Sequence, residues 1–286
     1  MPQQIYPQYH IPRRIIVSSI VVLLTFILAF ALDTRLLVRR YDIDAPEISS
    51  PVRIALITDL HSCRYGEGQK KLIEAVRAQD PDLILLGGDI FDDVRDDENT
   101  ELFLAGIADD FPCYYVTGNH EYWSGSENFA VKMDILKKYG VPVLSGECET
   151  LEINGETLNI CGVDDPDASM ISGHSASLPA QLDAAADAVQ NDAFTVLLSH
   201  RPEYFDLYQT YDFDLVLSGH AHGGQWRIPG LLNGLFAPNQ GLFPKYAGGK
   251  YVENDTIMIV SRGLARESTR IPRIFNRPEL VIVEIR

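Results

Sequence analysis

The chain has 286 residues, of which 46% are hydrophobic and 22% are charged, a balance that excludes an intrinsically disordered protein. It carries 24 Lys and Arg against 40 Asp and Glu, so the formal net charge is −16 at pH 7. Because phosphate backbones recruit basic surfaces, this acidity argues against a protein that coats nucleic acid. The four cysteines contain no CxxC pair and do not indicate a disulfide scaffold.

The first predicted element is an apolar helix at residues 15–32. Only three hydroxyl-bearing residues interrupt this run, and as a helix it would extend about 27 Å, close to the thickness of a bilayer's hydrocarbon core. A buried helix of a soluble protein would normally show a polar face, which this run lacks. The run therefore predicts a transmembrane helix or signal-anchor, with a short tail at residues 1–14 and a tether at residues 33–51.

The same segment leaves its processing and its orientation open. Ala29-Phe30-Ala31 resembles a signal-peptide cleavage site, so a cleaved signal is the alternative to an anchor. Two arginines precede the run and three follow it, and this near balance sets no orientation by the positive-inside rule. We expect a single-pass or peripheral protein of the cell membrane, in contact with membrane lipid. The extracytoplasmic face is favoured, and the cytoplasmic face stays open.

From residue 52 to residue 286 the chain alternates short apolar strands with helical segments, which predicts an α/β domain. Helices are predicted over residues 70–78, 128–138 and 182–189. The dipeptide Asn154-Gly155 lies between two strand-like runs and predicts a hairpin.

Five of the predicted strands end shortly before a residue that can bind a metal ion. The pairs are strand 53–58 with Asp59, 83–86 with Asp89, 113–116 with Asn119, 194–198 with His200 and 215–217 with His220. In open α/β sheets, ligands bind at the carboxyl ends of the strands. The five side chains are therefore expected to meet at one edge of the domain.

Five short motifs carry these side chains. In chain order they are Asp59-Leu60-His61, Gly88-Asp89, Gly118-Asn119-His120-Glu121, Ser199-His200 and Gly219-His220-Ala221-His222. The ordered set resembles the calcineurin-like metallophosphoesterases, whose motifs are D-x-H, G-D, G-N-H-[DE], an isolated His and G-H-x-H. The segments 261–264 and 273–279 look like the membrane-associated bacterial branch called YkuE- or YaeI-like. The resemblance covers about residues 40–286 and implies a two-sheet sandwich flanked by helices (αββα).

The resemblance also implies two divalent metal ions. Imidazole and carboxylate ligands favour Mn, Fe or Zn over Ca alone. The implied ligands are Asp59, His61 and His222 for the first metal, Asn119, His200 and His220 for the second, and Asp89 as a bridge between them. A hydroxide shared by the metals would attack phosphorus, since a bound cation lowers the pKa of water.

Other residues receive roles outside the metal shell. By the same resemblance, His120 would bind the phosphoryl oxygen or protonate the leaving group, which makes it catalytic together with Asp89. Glu121 would orient His120 from behind. Near the C-terminus, Arg262 or Arg273 is a candidate to bind the substrate phosphate, because a guanidinium matches phosphate with two hydrogen bonds. Two alternatives stay open for these arginines: a solvated basic edge, or contact with anionic lipid.

The predicted function is a membrane-anchored phosphoesterase that needs two metal ions. The resemblance to the bacterial branch favours a phosphodiester or pyrophosphate bond, in a lipid-linked or nucleotide-linked substrate, and this preference is an analogy only. A phosphomonoesterase on the same site is the alternative. A non-catalytic binding protein of the same fold is disfavoured, because such a protein would be expected to have lost ligands and none of the motif residues is missing.

Overall fold

The computed structural model describes residues 12–171, 176–266 and 271–286. The α-helices in this part of the chain are α1 (Arg13–Ala31), α2 (Lys70–Arg77), α3 (Glu98–Ala105), α4 (Asn119–Trp123), α5 (Ser126–Lys138), α6 (Leu178–Ala188) and α7 (Phe205–Tyr208). The strands are β1 (Leu37–Ile43), β2 (Val52–Ile57), β3 (Leu83–Gly87), β4 (Cys113–Val116), β5 (Glu147–Ile153), β6 (Glu156–Gly162), β7 (Phe194–Leu198), β8 (Leu215–Ser218), β9 (Phe236–Ala237), β10 (Gly241–Leu242), β11 (Gly249–Glu253), β12 (Thr256–Val260) and β13 (Glu279–Ile285).

Two mixed sheets form the centre of the domain, and the predicted α/β class is confirmed. The first sheet has the strand order β1-β13-β2-β3-β4, and the second has the order β11-β12-β8-β7-β6-β5. In the first sheet β2, β3 and β4 run parallel, and β13 runs antiparallel to β2. In the second sheet β6, β7, β8 and β12 run parallel.

The sheets pack face to face, and helices cover their outer faces. Leu85 of β3 and Val196 of β7 are fully buried in one apolar cluster that both sheets share. Ile84 points the other way and lies in a second cluster with residues of α2, α3 and α5, and a third cluster joins the second sheet to α6 and α7. Because successive side chains of a strand alternate between faces, a strand covered on both sides is apolar throughout. This explains the unbroken apolar run at residues 83–86.

The hairpin predicted around Asn154-Gly155 is confirmed. β5 and β6 pair antiparallel, and the two turn residues have φ angles of 56° and 83°. A two-residue turn with both φ angles positive suits the right-handed twist of the flanking strands, and Asn-Gly adopts it readily. A disulfide joins the facing residues Cys148 and Cys161 of this hairpin, a pairing that the cysteine spacing did not predict.

The prediction of a tether over residues 33–51 is wrong for residues 37–43. These residues form β1, which pairs in parallel with β13 along its whole length. Ile43 is fully buried in the cluster between the sheets. Turn-forming residues such as Pro46 and Pro51 follow β1, and there the chain passes from the edge of the sheet to β2. The folded domain therefore begins before residue 52.

A chain shortened to begin at Asp33 is expected to fold, whereas one that begins at Val52 is expected to lose stability. Removal of β1 exposes one side of β13 and leaves a cavity at Ile43, whose burial alone is worth about 2 kcal/mol. Urea unfolding of the two shortened chains measures the difference. Equal midpoints would show that β1 is dispensable, as a tether would be.

α1 is an apolar helix that packs against the domain only at its end. It has 19 residues and a mean hydropathy of 2.5, and the side chains before Ala31 are exposed. Its bounds agree with the apolar run at residues 15–32, and the tail predicted for residues 1–14 lies, up to residue 11, outside the described residues. By length and composition α1 suits a membrane anchor or a signal sequence.

Candidate metal centre

The candidate ligands lie at the carboxyl ends of strands in both sheets. In the first sheet Asp59, Asp89 and Asn119 follow β2, β3 and β4, which are neighbouring parallel strands. In the second sheet His200 and His220 follow β7 and β8. Because the sheets pack face to face with these ends at the same edge, the loops after the strands converge, as expected for an α/β fold.

The side chains form two groups that share one carboxylate. In each group the ligand atoms lie within 4.8 Å of one another; one group is Asp59, His61, Asp89 and His222, and the other is Asp89, His200 and His220. Asp89 belongs to both, and its Oδ2 lies 3.1 Å from Nε2 of His200 and 3.7 Å from Nε2 of His61. This arrangement matches a pair of neighbouring cations with Asp89 between them.

Three buried polar atoms of the site have no hydrogen-bond partner. They are Nε2 of His61, Oδ2 of Asp89 and Oδ1 of Asn119. Buried side-chain polar atoms are nearly always paired, so three orphans in one place need an explanation. Each is a lone-pair donor of the kind that Mn, Fe or Zn accepts, and bound cations would supply the missing partners. The residues present therefore fit a two-metal centre.

Acceptors behind His61 and His200 fix which ring nitrogen faces the centre. Nδ1 of His61 lies 3.1 Å from a carboxylate oxygen of Asp92, and Nδ1 of His200 lies 2.8 Å from the carbonyl oxygen of Gly87. Since these oxygens accept hydrogen bonds, Nδ1 of each ring carries a proton and Nε2 is turned towards the centre, where a bound cation would take the place of any second proton. Asp92 lies outside the five motifs, and the sequence alone did not indicate this contact.

His220 is held by a network that includes a residue outside the motifs. Its Nε2 lies 2.9 Å from Oδ1 of Asn239, which leaves Nδ1 directed at Nε2 of His200, 3.2 Å away. Arg201 donates to the same Asn239 oxygen at 2.7 Å and is paired with the buried carboxylate of Asp165. The network fixes the ring of His220 on the side away from the centre.

The protonation of the side chains in the centre depends on their contacts with one another as well as on their burial. Burial favours neutral Asp89, but the adjacent His200 outweighs it and holds the pKa of Asp89 well below its usual range. Burial likewise favours neutral His200, yet Asp89 raises the pKa of this histidine to about 10. Burial and nearby cations lower the pKa of His220 and His222 well below the usual value, so both are neutral and able to bind a metal.

The backbone at the centre adopts conformations that are uncommon outside glycine. Positive φ angles occur at Asp59, His61, Asp89, His220 and His222, between 47° and 63°. Such angles cost energy for residues with a Cβ and cluster at functional sites. Five of them on five candidate ligands indicate that the loops are shaped to aim these side chains.

Two glycines of the motifs make room for the carboxylates. A Cβ on Gly118 would lie 2.2 Å from Oδ1 of Asp89, and a Cβ on Gly219 would lie 2.6 Å from Oδ2 of Asp59. Both distances are far inside van der Waals contact, so a larger residue would displace the carboxylate. These glycines are needed for the close approach of the loops, and neither has a positive φ.

His120 lies beside the centre and is oriented by Asp93. Its Nδ1 is 2.6 Å from Oδ1 of Asp93, and its ring meets the ring of His61 edge-on at 4.4 Å. Its backbone N–H donates to Oδ1 of Asp89 at 2.9 Å. The ring is partly exposed, so one edge is open to a substrate.

The expectation that Glu121 orients His120 is wrong. Its carboxylate accepts the backbone N–H groups of Asp89, Phe91 and Gly118 at 2.7 to 3.0 Å, and the hydroxyl of Tyr115 at 2.6 Å. Glu121 therefore ties the loop after β3 to the loop after β4. The position of its side chain at the third residue of α4 allows it to reach back to the helix start, which is the capping-box arrangement.

The two arginines predicted to bind substrate have different surroundings. Arg262 is buried and forms a hydrogen-bonded ion pair with Glu279, which argues against a substrate role. Arg273 is also buried, donates to the carbonyl oxygen of Arg262 at 2.8 Å, and has Nη2 3.5 Å from Nδ1 of His222. Of the two, Arg273 is the one beside a candidate ligand.

Known proteins resemble this chain in sequence. Residues 52–224 match the family model described as calcineurin-like phosphoesterase. An uncharacterized metallophosphoesterase of Aquifex aeolicus is 30% identical over 256 residues, which cover 87% of this chain and 91% of that protein. The phosphodiesterase YaeI of Escherichia coli is 27% identical over 242 residues, 83% of each chain, in agreement with the branch that the C-terminal segments resemble.

Other similar proteins are longer or more distant. This chain spans about half the length of its curated relatives from Campylobacter jejuni and Helicobacter pylori. The structure of the NAD nucleotidase NadN from Haemophilus influenzae aligns with a TM-score of 0.51 at 17% identity, over 76% of this chain and 46% of that chain, which shows a shared fold. The family model covers more than half of the sequence and includes the five motifs up to His222. The chain belongs to the calcineurin-like phosphoesterase family.

Proposed function

We propose that this protein is a membrane-anchored phosphoesterase that uses two metal ions to hydrolyse a phosphodiester or pyrophosphate bond. The observation that carries the proposal is the pair of ligand groups that share Asp89, with His120 at their edge. Membership in a phosphoesterase family supports a hydrolase of phosphate esters. Mn, Fe and Zn all suit the ligand set.

Seven side chains would hold the metals, as the resemblance implied: Asp59, His61 and His222 on one side, Asn119, His200 and His220 on the other, and Asp89 between. Bound there, the cations would supply Lewis acidity and lower the pKa of a water molecule. The protein's part is to fix the donors. The hydrogen bonds behind His61, His200 and His220 hold the rings in one tautomer and one orientation.

His120 is proposed to act on the phosphate group. With Nδ1 held by Asp93, its Nε2 is the nitrogen free to donate a proton to a phosphoryl oxygen or to the leaving group. Asp93 fixes the ring so that this proton is delivered from one direction. Arg273 is proposed to attract the negatively charged substrate electrostatically. Its guanidinium lies beside His222, so this attraction would act across that histidine.

α1 is proposed to be an uncleaved membrane anchor. An exposed apolar helix of 19 residues is unfavourable in water, and a bilayer is the environment that covers it. Its end is joined to the domain, because the backbone N–H of Phe275 donates to the carbonyl oxygen of Ala31 at 2.7 Å and the ring of Phe30 lies near that of Phe275. Cleavage after Ala31 would remove these contacts from the domain.

The preference for a diester or pyrophosphate rests on the relative named as a phosphodiesterase. The test uses the full chain in detergent, stripped of metal and reloaded with Mn²⁺. Hydrolysis of bis(p-nitrophenyl) phosphate is compared with that of p-nitrophenyl phosphate, and the Asp89→Asn protein serves as the blank. We expect faster turnover of the diester, which would direct the search to lipid-linked and nucleotide-linked substrates.

Two other results would change the assignment. Faster turnover of the monoester would identify a phosphomonoesterase on the same site. Turnover of neither ester by protein that holds two metals would contradict the general hydrolase and favour a non-catalytic binding protein. Metal content, measured by mass spectrometry of the reloaded protein, separates this second result from incomplete loading.

A further inference from the structure

A cavity lies at the junction of α1 and the domain, separate from the candidate metal ligands. It has a volume of about 310 Å³, and its walls are formed by Phe30, Leu37, Arg39, Arg227, Pro229, Arg262, Phe275 and Arg277. This volume is roughly ten times the ~30 Å³ that a water molecule occupies in the liquid, which leaves room for a phosphate and the atoms attached to it. Four of the eight lining residues are apolar and the other four are arginines.

The cavity carries excess positive charge in a chain that is strongly acidic. Its four arginines share two carboxylates: Glu279 pairs with Arg262 and lies 3.7 Å from Arg39, and Asp33 lies 3.5 Å from Arg277. No carboxylate of the described residues lies within ion-pair distance of Arg227. The unbalanced charge attracts an anion.

Arg227 has an unused donor at this place. Its Nη1 is buried without a hydrogen-bond partner, while Nη2 donates to Oδ1 of Asn233. Burial, together with the neighbouring Arg262, lowers the pKa of Arg227 to about 10. Nearby negative groups therefore balance its positive charge only in part. Arg227 also lines the cavity, where its guanidinium charge would attract a phosphate group.

The surface next to the cavity continues the apolar surface of α1. The segment that contains Phe275 is bound to the end of α1, and Trp226 and Arg227 pair with Ile274 of that segment. The loop that begins at Trp226 exposes apolar side chains, of which Leu231 is 82% exposed. Exposed Trp and Leu beside an apolar helix are typical of surfaces that rest in the membrane interface.

We propose that this cavity binds the phosphate group of an anionic membrane lipid, with the lipid's acyl chains along α1 and Phe30. The lipid phosphate would accept from Arg227 and lie between Arg39 and Arg277, at the depth where α1 leaves the bilayer. Basic pockets beside the ends of transmembrane helices bind anionic head groups in this way. The proposal rests on one part of the proposed function, namely that α1 is a membrane anchor. It does not require that the protein be an active enzyme.

The test is native mass spectrometry of the full chain in detergent with equal amounts of phosphatidylglycerol and phosphatidylcholine. The wild-type protein is expected to retain phosphatidylglycerol in preference to phosphatidylcholine. Arg227→Gln is expected to weaken this retention about fivefold, the effect of one arginine at a lipid surface. Arg77→Gln, which makes the same change in α2 where the arginine pairs with Asp110, is expected to match the wild type.

Arg39→Gln provides a second variant, because this arginine is partly exposed and its loss should leave the fold intact. This variant should also retain less phosphatidylglycerol than the wild type. Equal retention of both lipids by the wild type, or unchanged retention in both cavity variants, would overturn the proposal. Complete displacement of the lipid by excess inorganic phosphate would also overturn it, because it would indicate a site for a free ion. Since no turnover is measured, failure of the phosphodiesterase assay leaves this result unaffected.

Discussion

Asp89→Asn is expected to reduce kcat at least about a thousandfold and to lower the metal content below two ions per chain. Asp89 is the one carboxylate that both ligand groups share, and its Oδ2 is buried without a protein hydrogen bond. An amide carries no charge, and its NH₂ group cannot act as a ligand, so the bridge between the cations would be lost. A loss of about 4 kcal/mol in transition-state stabilisation corresponds to this factor.

The matched control for this variant is Asp214→Asn. Asp214 lies just before β8, at the opposite end of that strand from His220, and accepts the backbone N–H of Thr195 at 2.7 Å. An asparagine oxygen can accept the same hydrogen bond, so activity and metal content should stay at the wild-type level. Steady-state kinetics and metal analysis of both variants test these expectations. Near-normal turnover by Asp89→Asn would contradict the two-metal assignment.

His120→Ala is expected to keep both metals and to slow hydrolysis by about 10² to 10⁴, the usual range for a general acid. The reason is its position at the edge of the centre, with Nδ1 occupied by Asp93 and the ring partly exposed. The loss should be larger for an alkyl leaving group than for nitrophenolate, which needs no protonation. A purely structural role would slow both esters equally.

Metal content distinguishes the other possible role of this histidine. His120 also lies in a group with His61 and Asp92 whose ligand atoms are within 4.8 Å of one another. If His120→Ala binds one metal fewer than the wild type, the histidine is a ligand and not the acid. Asp93→Asn should lower kcat by about 10- to 100-fold with KM unchanged, as expected of a residue that orients another.

The sequence was sufficient to name the candidate ligands, because the five motifs resemble those of a known family and each follows a predicted strand. Asp59, Asp89 and His220 each follow a largely apolar strand, and parallel strands bring their carboxyl ends together. The burial of both sheet faces made these strands easy to recognise. The ligand set and the α/β class could therefore be predicted before the packing was known.

The residues behind the ligands could not be predicted in the same way. Asp92 and Asp93 stand in an acidic stretch that reads as a solvated loop, and only the fold shows that one meets His61 and the other His120. Asn239 reaches His220 from a loop 19 residues away, with no motif to mark it. Such contacts depend on how loops pack, and local residue pattern carries little information about that.

β1 was missed for a related reason. Its seven residues alternate too little between polar and apolar to signal a strand, and arginines occupy its middle. Pairing with β13 supplies the stability that the local sequence does not indicate. A strand at a sheet edge is often short and charged, which protects the edge from pairing with other chains.

The position of β13 has a consequence for the order of folding. This strand lies between β1 and β2, although it is the last to be synthesised. While the ribosome is still adding residues, β1 and β2 each lack a neighbour, and their backbone groups are open to wrong pairing. The first sheet can close only after Ile285 has emerged, by which time α1 has long been available for insertion into a bilayer. We therefore expect the facing edges of β1 and β2 to stay unpaired until β13 has been synthesised.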